Sequence, residues 1–342
     1  MKRYIIDAEN FCIEKQEDGS IFVKASNDTL QAPVRIKRDY LASYLDPPIP
    51  PGYQYLKGDP LTGFVIQSLD GDLEFTWVPV LALKKYGYLF DSYKIGTSSI
   101  FGIFPNRIIE PQNKPFHCDW ERLYPFGDYN PYNVKILPFE EQIASVSKFG
   151  GFYISTYHIY VELIDENTKG TNWKMLKPCK RRYFSKKGLW PTIYDGNNLD
   201  VLQHMVRSLN AQNECEEISY HLPFMSEHDF MLKWISKTNN MEAAIYEDSS
   251  KIGNYSGKLL KTGTKKQYCI NNIYDITGNL PEWTYEVFAH RDIWDRYYVE
   301  SEYILRGGGY NEKGNIYPAA CKRFSQPGLN EGVARVAMHI KV

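Results

Sequence analysis

Two neighbouring stretches near the middle of the chain repeat apolar residues at helical spacing, and the segments around them read as strands, turns and loops. That order narrows the fold more than any other feature. Leu199, Leu202, Val206 and Leu209 line one helix face, with Asn197 or Asn198 placed to cap it. In SEHDFMLKWI, Ser226 can cap a second helix, with Asp229 three residues on and Phe230, Trp234 and Ile235 on the buried side. Upstream, SIFVKAS (20–26) and APVRIKRDY (32–40) alternate apolar and polar positions about an Asn27-Asp28 turn. GFVIQ and LEFTWVPV flank Asp70-Gly71-Asp72, which predicts a hairpin over 63–80. KFGGFYISTYHIYVEL (148–163) predicts one further strand, with Phe152, Ile154, Thr156 and His158 on one face. From about residue 250 the chain is turn-rich with short strands. Strands, then two helices, then loops and strands predict an α+β fold rather than a doubly wound α/β one.

Four prolines in LDPPIPPGY (45–53) exclude helix there and make a stiff, extended connector. They divide the chain into a small β-rich anchoring module at 1–46, a connector to about 53, and a main domain at 54–342. The Tyr-, Phe-, Pro- and Gly-rich stretch 81–148 is read as a loop-rich insertion.

Composition removes several functions. The net charge is −1, so no global field draws nucleic acid or an anionic membrane. No run of about 18 apolar residues is present, so no membrane span is expected. The start, MKRYIIDAENFC, lacks an apolar run; synthesis in the cytoplasm without a secretory signal is expected. The six cysteines, at 12, 118, 179, 215, 269 and 321, form no CxxC pair, which argues against a zinc ribbon or thioredoxin-type motif. The 27 tyrosines suit both strands and contact surfaces.

Local clusters give little chemistry. GGGY (307–310) lacks the GK[ST] and following helix of a phosphate loop, and DENTKGTN (165–172) has Lys169 where a calcium ligand belongs. The seven histidines form no HExxH; His158, Tyr160 and Glu162 would share a strand face, where a structural histidine is expected. The group His117, Cys118, Asp119 and Glu121 is too common a cluster to argue for a metal. KPCKRRYFSKKG (177–188) reads as a solvated loop or a strand edge guarded by charge.

YDITGNLPEWTYE (274–286) is more specific. Asp275 and Glu282 flank a Gly278-Asn279 turn, with Trp283 next to the second acid. Either the acids bind a hard cation together with turn carbonyls, or they bond backbone amides within the turn.

The segment Ile273 to Thr284, followed by Leu305-Arg306-Gly307-Gly308-Gly309-Tyr310, by Ala320-Cys321-Lys322-Arg323 and by Arg335-Val336-Ala337, resembles the signatures of the formylglycine-generating-enzyme (sulfatase-modifying factor) family. FTWVPV, GGFYIS and SYHLPFMSEHDF are weaker echoes upstream, so the resemblance covers roughly 63–342. It implies a C-type-lectin-like α+β domain with little regular secondary structure. It also implies a structural Ca²⁺ held by Asp275, the carbonyls of Gly278 and Leu280, and Glu282. The family's paired catalytic cysteines would fall at Glu312 and Tyr317, and Cys321 has no cysteine beside it. No catalytic residue is therefore assigned, and formylglycine formation is not expected. Pro281 and Gly309 stand where the family has tryptophan and serine.

Relatives lacking the cysteines use the lectin-like face to hold partners. On this chain that face would present Tyr285, Trp294, Tyr297, Tyr298, Tyr303, Tyr310, Asn311, Asn315 and Tyr317 to a protein or glycan. The expected function is a non-catalytic structural or ligand-binding protein, a phage virion or tail-associated component in a larger assembly, with a protein or glycan of the host surface as a candidate partner, no nucleic-acid partner, and a homo-oligomer as a possible state. The alternatives are an Fe- or Cu-dependent oxidoreductase of the same family and a bacterial surface adhesin.

Overall fold

The computed structural model describes the strand segments 2–5, 11–15, 21–25 and 34–35, and then residues 47–80, 145–146, 148–163, 181–191, 199–213, 215–291, 299–325 and 332–342. Nearly all of the expected insertion at 81–148 lies outside these residues. The segments β1 (Lys2–Ile5), β2 (Phe11–Lys15), β3 (Ile21–Ala25) and β4 (Val34–Arg35) form an antiparallel meander in sequence order.

The main sheet has six strands: β5 (Tyr53–Lys57), β6 (Val65–Ser68), β7 (Glu74–Pro79), β8 (Gly151–Ser155), β11 (Ile218–His221) and β17 (Ala337–Ile340). Their order across the sheet is β11-β17-β8-β7-β6-β5, and every pairing is antiparallel. The β6–β7 hairpin forms where Asp70-Gly71-Asp72 predicts it, with Gly71 in the left-handed region at φ +76°.

Side-chain alternation sorts this sheet into two apolar layers. Ile66, Phe75, Trp77, Tyr153, Met338, Ile340, Ile218 and Tyr220 share one face, against α1 (Leu199–Gln212) through Leu202, Met205, Val206 and Leu209. Val78, Val80, Phe152, Ile154 and Ala337 share the other, against α2 (Met225–Asn239) through Phe230, Met231, Trp234 and Ile235. Both faces are covered, so β7 and β8 are buried at every position and read as nearly continuous apolar runs. Each large apolar side chain so enclosed contributes about 1.5–3 kcal/mol. A short α3 (Glu242–Tyr246) follows α2.

The remaining strands are two short pairs, β9 (Tyr160–Leu163) with β10 (Arg181–Phe184) and β12 (Cys269–Ile270) with β13 (Ile273–Tyr274), and a three-stranded sheet of the longer β14 (Glu282–Arg291) and β15 (Val299–Arg306) with β16 (Lys322–Ser325). The result is an α+β chain made mostly of β-sheet with few helices. Among the described residues, no helix is long and apolar enough to cross a membrane.

Three local expectations are corrected. The stretch 148–163 is two strands rather than one: β8 ends at Ser155 and β9 begins at Tyr160. His158, Tyr160 and Glu162 therefore do not share a strand face; His158 sits in the break, buried, while Glu162 lies opposite Arg182 in the β9–β10 pair and is exposed. The second helix begins one residue before Ser226, with Phe224 at its N-cap in extended conformation. The Glu227 carboxylate accepts the Phe224 N–H at 2.8 Å, so the helix start is tied by the acid's reach back to the N-cap N–H rather than by a capping hydroxyl.

Candidate functional site

The loop 274–283 is built on three demands for left-handed backbone, at Asp275 (φ 55°) and at the adjacent Gly278 (φ 66°) and Asn279 (φ 58°). At Gly278 a side chain would meet the Asn254 backbone nitrogen at 2.5 Å, so the glycine also permits close approach of two chain segments. Asn279 joins them. Its Oδ1 accepts from Leu260 N and from Asn254 Nδ2, each at 2.9 Å, and its Nδ2 donates to Leu260 O at 2.9 Å. Its own N–H bonds Asn254 O at 2.8 Å, and its carbonyl accepts from Tyr310 N at 2.9 Å.

Asp275, Glu282 and Trp283 are all buried. Asp275 Oδ2 accepts from Thr262 Oγ1 at 2.8 Å and from Gly263 N at 2.9 Å. Arg335, itself fully buried, reaches the same loop: Nε donates to Glu282 Oε1 at 2.8 Å, Nη2 to Tyr274 O at 2.7 Å, and Nη1 to Ser155 O at 2.7 Å. His158 Nε2 lies 3.1 Å from Glu282 Oε1, and His228 Nε2 lies 3.6 Å from Oε2. Burial opposes the Glu282 charge, but Arg335 and the imidazoles outweigh it and hold the carboxyl well below the usual range. Burial, with Arg306 behind it, keeps His228 toward its neutral form although Glu282 pulls the other way. Arg306 in turn pairs with Asp229 on α2.

A second buried cluster sits at the far edge of the six-stranded sheet. Ser219 faces His339 and His221 faces Ala337 across the β11–β17 pair, so the two histidines are diagonal neighbours on one face. Glu227, in the first turn of α2, meets both: Oε1 is 2.9 Å from His221 Nε2 and 2.6 Å from His339 Nε2. The two imidazoles stack with ring centroids 5.2 Å apart, with the Phe152 ring on His339 and the Phe224 ring beside His221. Spacing along the sequence does not reveal this group, because His339 stands on a strand 112 residues beyond Glu227. One signal was present: Glu227 stands at the third helical position after the His221-Leu222-Pro223-Phe224 approach, where a capping acid belongs.

Of the residues expected on a binding face, Tyr310 and Tyr317 are half-buried, and Asn311 and Asn315 are exposed. The Arg323 guanidinium lies over the Tyr317 ring at 5.6 Å and pairs with Glu312, whose other oxygen accepts the Gly309 N–H. Trp294, Tyr297 and Tyr298 fall outside the described residues, as do the side chains of Tyr285 and Tyr303 on β14 and β15. A separate cleft of about 450 Å³ opens beside β5, β10 and the end of α1. Its lining includes the Tyr53 and Tyr220 hydroxyls, 2.7 Å apart, together with Asp70, Asp72 paired to Arg182, and Asn213. Cys321 is buried, and burial pushes its thiol up to about 11, opposed in part by Arg306 and Arg323. Burial thus holds the thiol toward its protonated, less reactive form.

No protein-family model matches the chain, and no curated protein matches it. Among solved structures it is similar to one described as the crystal structure of CarF, at 20% identity over 36% of this chain and 48% of that one, with a TM-score of 0.29. It is also similar to Treponema denticola variable protein 1, at 21% identity over 34% of this chain and 47% of that one, with a TM-score of 0.24. The chain matches about half the length of each of these proteins.

Proposed function

We propose that this chain is a catalytically silent protein of the formylglycine-generating-enzyme type, with a C-type-lectin-like main domain, that serves as a structural or ligand-binding component of a phage virion or tail. One observation carries the reading: the separate segments that resemble the family's signatures touch one another. Glu282 of the first pairs with Arg335 of the last, and Asn279 of the first accepts from Tyr310 of the second. The upstream echo joins them through His228 beside Glu282 and Asp229 on Arg306. The buried Cys321 thiol supports a silent site, since a nucleophilic or metal-binding cysteine needs an accessible thiolate. In this proposal the meander β1–β4 anchors the chain in a larger assembly, and Tyr310, Asn311, Asn315 and Tyr317 belong to the face turned toward a protein or glycan.

Mass spectrometry of purified particles from the producing cell tests the assignment. The chain is expected among the particle proteins, and its absence from them ends the virion reading. A glycan array separates the partner classes: binding that Asn311→Ala with Asn315→Ala weakens tenfold or more supports a sugar ligand on this face.

Calcium at Asp275, Gly278, Leu280 and Glu282 is a separate proposal, in which the ion joins a loop where Arg335 already supplies positive charge to Glu282. The expected result is a Tm a few degrees higher in Ca²⁺ than in EDTA, a difference that Asp275→Ala removes. Identical melting in the two buffers retires calcium and leaves the guanidinium as the cation of the loop.

A further inference from the structure

We propose that His221, Glu227 and His339 form a closed, structural binding site for one divalent transition-metal ion of the zinc class. Among the described residues, this is the one group of three His, Cys, Asp or Glu side chains whose ligating atoms all lie within 4.8 Å of one another. The contrast with Glu282 carries the argument. Glu282 is balanced by the Arg335 guanidinium. Glu227 is equally buried, yet its hydrogen-bond partners are the two imidazoles and the Phe224 N–H, with no lysine or arginine among them. The Glu227 carboxylate is thus enclosed among aromatic rings with no lysine or arginine beside it, a place that a bound cation among the same three ligands would balance.

The donor chemistry fits. Two imidazole Nε2 atoms and a carboxylate are the borderline ligands that suit Zn²⁺. His221 Nε2 lies 2.9 Å from both Glu227 oxygens, so a chelating carboxylate with two imidazoles supplies four donor atoms. Opening the cluster by roughly half an ångström would place them around an ion with bonds of about 2.0–2.2 Å. Both Nδ1 atoms lack a hydrogen-bond partner, so moving each ring proton from Nε2 to Nδ1 breaks no bond on that side. The Phe224 N–H fixes the carboxylate, and the ligands stand on two paired strands and a helix, so the site is rigid before an ion arrives. All three ligands are fully buried, so an ion held there would face no substrate and would act as a staple between β11, β17 and α2 rather than as a catalyst.

Metal analysis of the full chain, purified without chelator and then reloaded with Zn²⁺ after EDTA treatment, tests this directly. One Zn²⁺ per chain is expected, with a Tm several degrees above the EDTA-treated protein. Co²⁺ in its place should give a visible d–d band without a thiolate charge-transfer band. His339→Gln, which leaves the Glu227 cap intact, is expected to lose the Co²⁺ band. Failure of the wild-type chain to retain stoichiometric Zn²⁺ or Co²⁺ overturns the proposal, whatever the variant does. So does a thiolate band, which would place the ion on a cysteine, or full Co²⁺ retention by His339→Gln.

Discussion

Arg335→Met is expected to cost about 3–5 kcal/mol of stability, because it leaves the buried Glu282 carboxylate without the guanidinium that offsets its burial. The guanidinium is fully buried and serves three acceptors at once: the Glu282 carboxylate, Tyr274 O and Ser155 O. Its removal therefore loosens the signature loop, the end of β8 and the approach to β17 together. Glu282→Gln alone should also be costly, since it leaves the charged guanidinium facing a neutral amide. The double change, Arg335→Met with Glu282→Gln, should recover part of the loss, and a denaturant-midpoint cycle over the four proteins reads the coupling. The same pair predicts a pH window. The folded Glu282 carboxyl titrates well below its unfolded value of about 4.3, so its contribution is complete above that pH and is withdrawn as pH falls through and beneath it. The gap in stability between wild type and Arg335→Met should therefore narrow below about pH 4. A loss under about 1 kcal/mol at pH 7, or a gap that does not change with acid, would show that the pair is not what closes this loop.

What was legible in the sequence was the local grammar. Asp70-Gly71-Asp72 declared its hairpin, and the leucine spacing of 199–209 declared α1, because both signals lie within one turn or one helix face. The α+β class followed from the order of such segments. Where the reading failed, a distant partner overrode a local preference. The strand expected over 148–163 breaks beyond Ser155, where the Tyr157 N–H bonds the Ser185 hydroxyl and the Ile159 N–H bonds Ala334 O, and the break delivers His158 to Glu282. Ser226 looked like a cap, yet Glu227 ties the helix start while facing two histidines. The His221–His339 pairing joins residues on strands more than a hundred positions apart. Spacing along one segment carries no information about such a pair; only strand register does.

Asn279→Ala should cost about 3–5 kcal/mol, although it removes no charge and only a small side chain. The amide is fully buried and makes three side-chain bonds, to Leu260 N, Leu260 O and Asn254 Nδ2. Each partner left unsatisfied in the interior costs about 1–3 kcal/mol, and these losses are not fully additive because the partners share one cage. The backbone adds to this. Asn279 stands at φ 58°, which asparagine tolerates and alanine resists by about 1–2 kcal/mol. Two further variants separate the contributions. Asn279→Gly removes the bonds but relieves the backbone, so it should be roughly 1 kcal/mol less damaging than alanine. Asn279→Asp keeps the acceptor toward Leu260 N and Asn254 but places a carboxylate against Leu260 O, so it should unfold at lower denaturant than the glycine variant. Amide hydrogen exchange gives the local readout: the Leu260 N–H, protected by Asn279 Oδ1, should exchange faster in all three variants while the N–H groups of β7 keep their protection. If Asn279→Gly is as stable as wild type, left-handed geometry alone makes this turn and the amide cage contributes nothing. If it falls with alanine, the cage is what ties 254–260 to the Gly-Asn turn and, through the Asn279 carbonyl and Tyr310 N, to the loop expected to meet a partner.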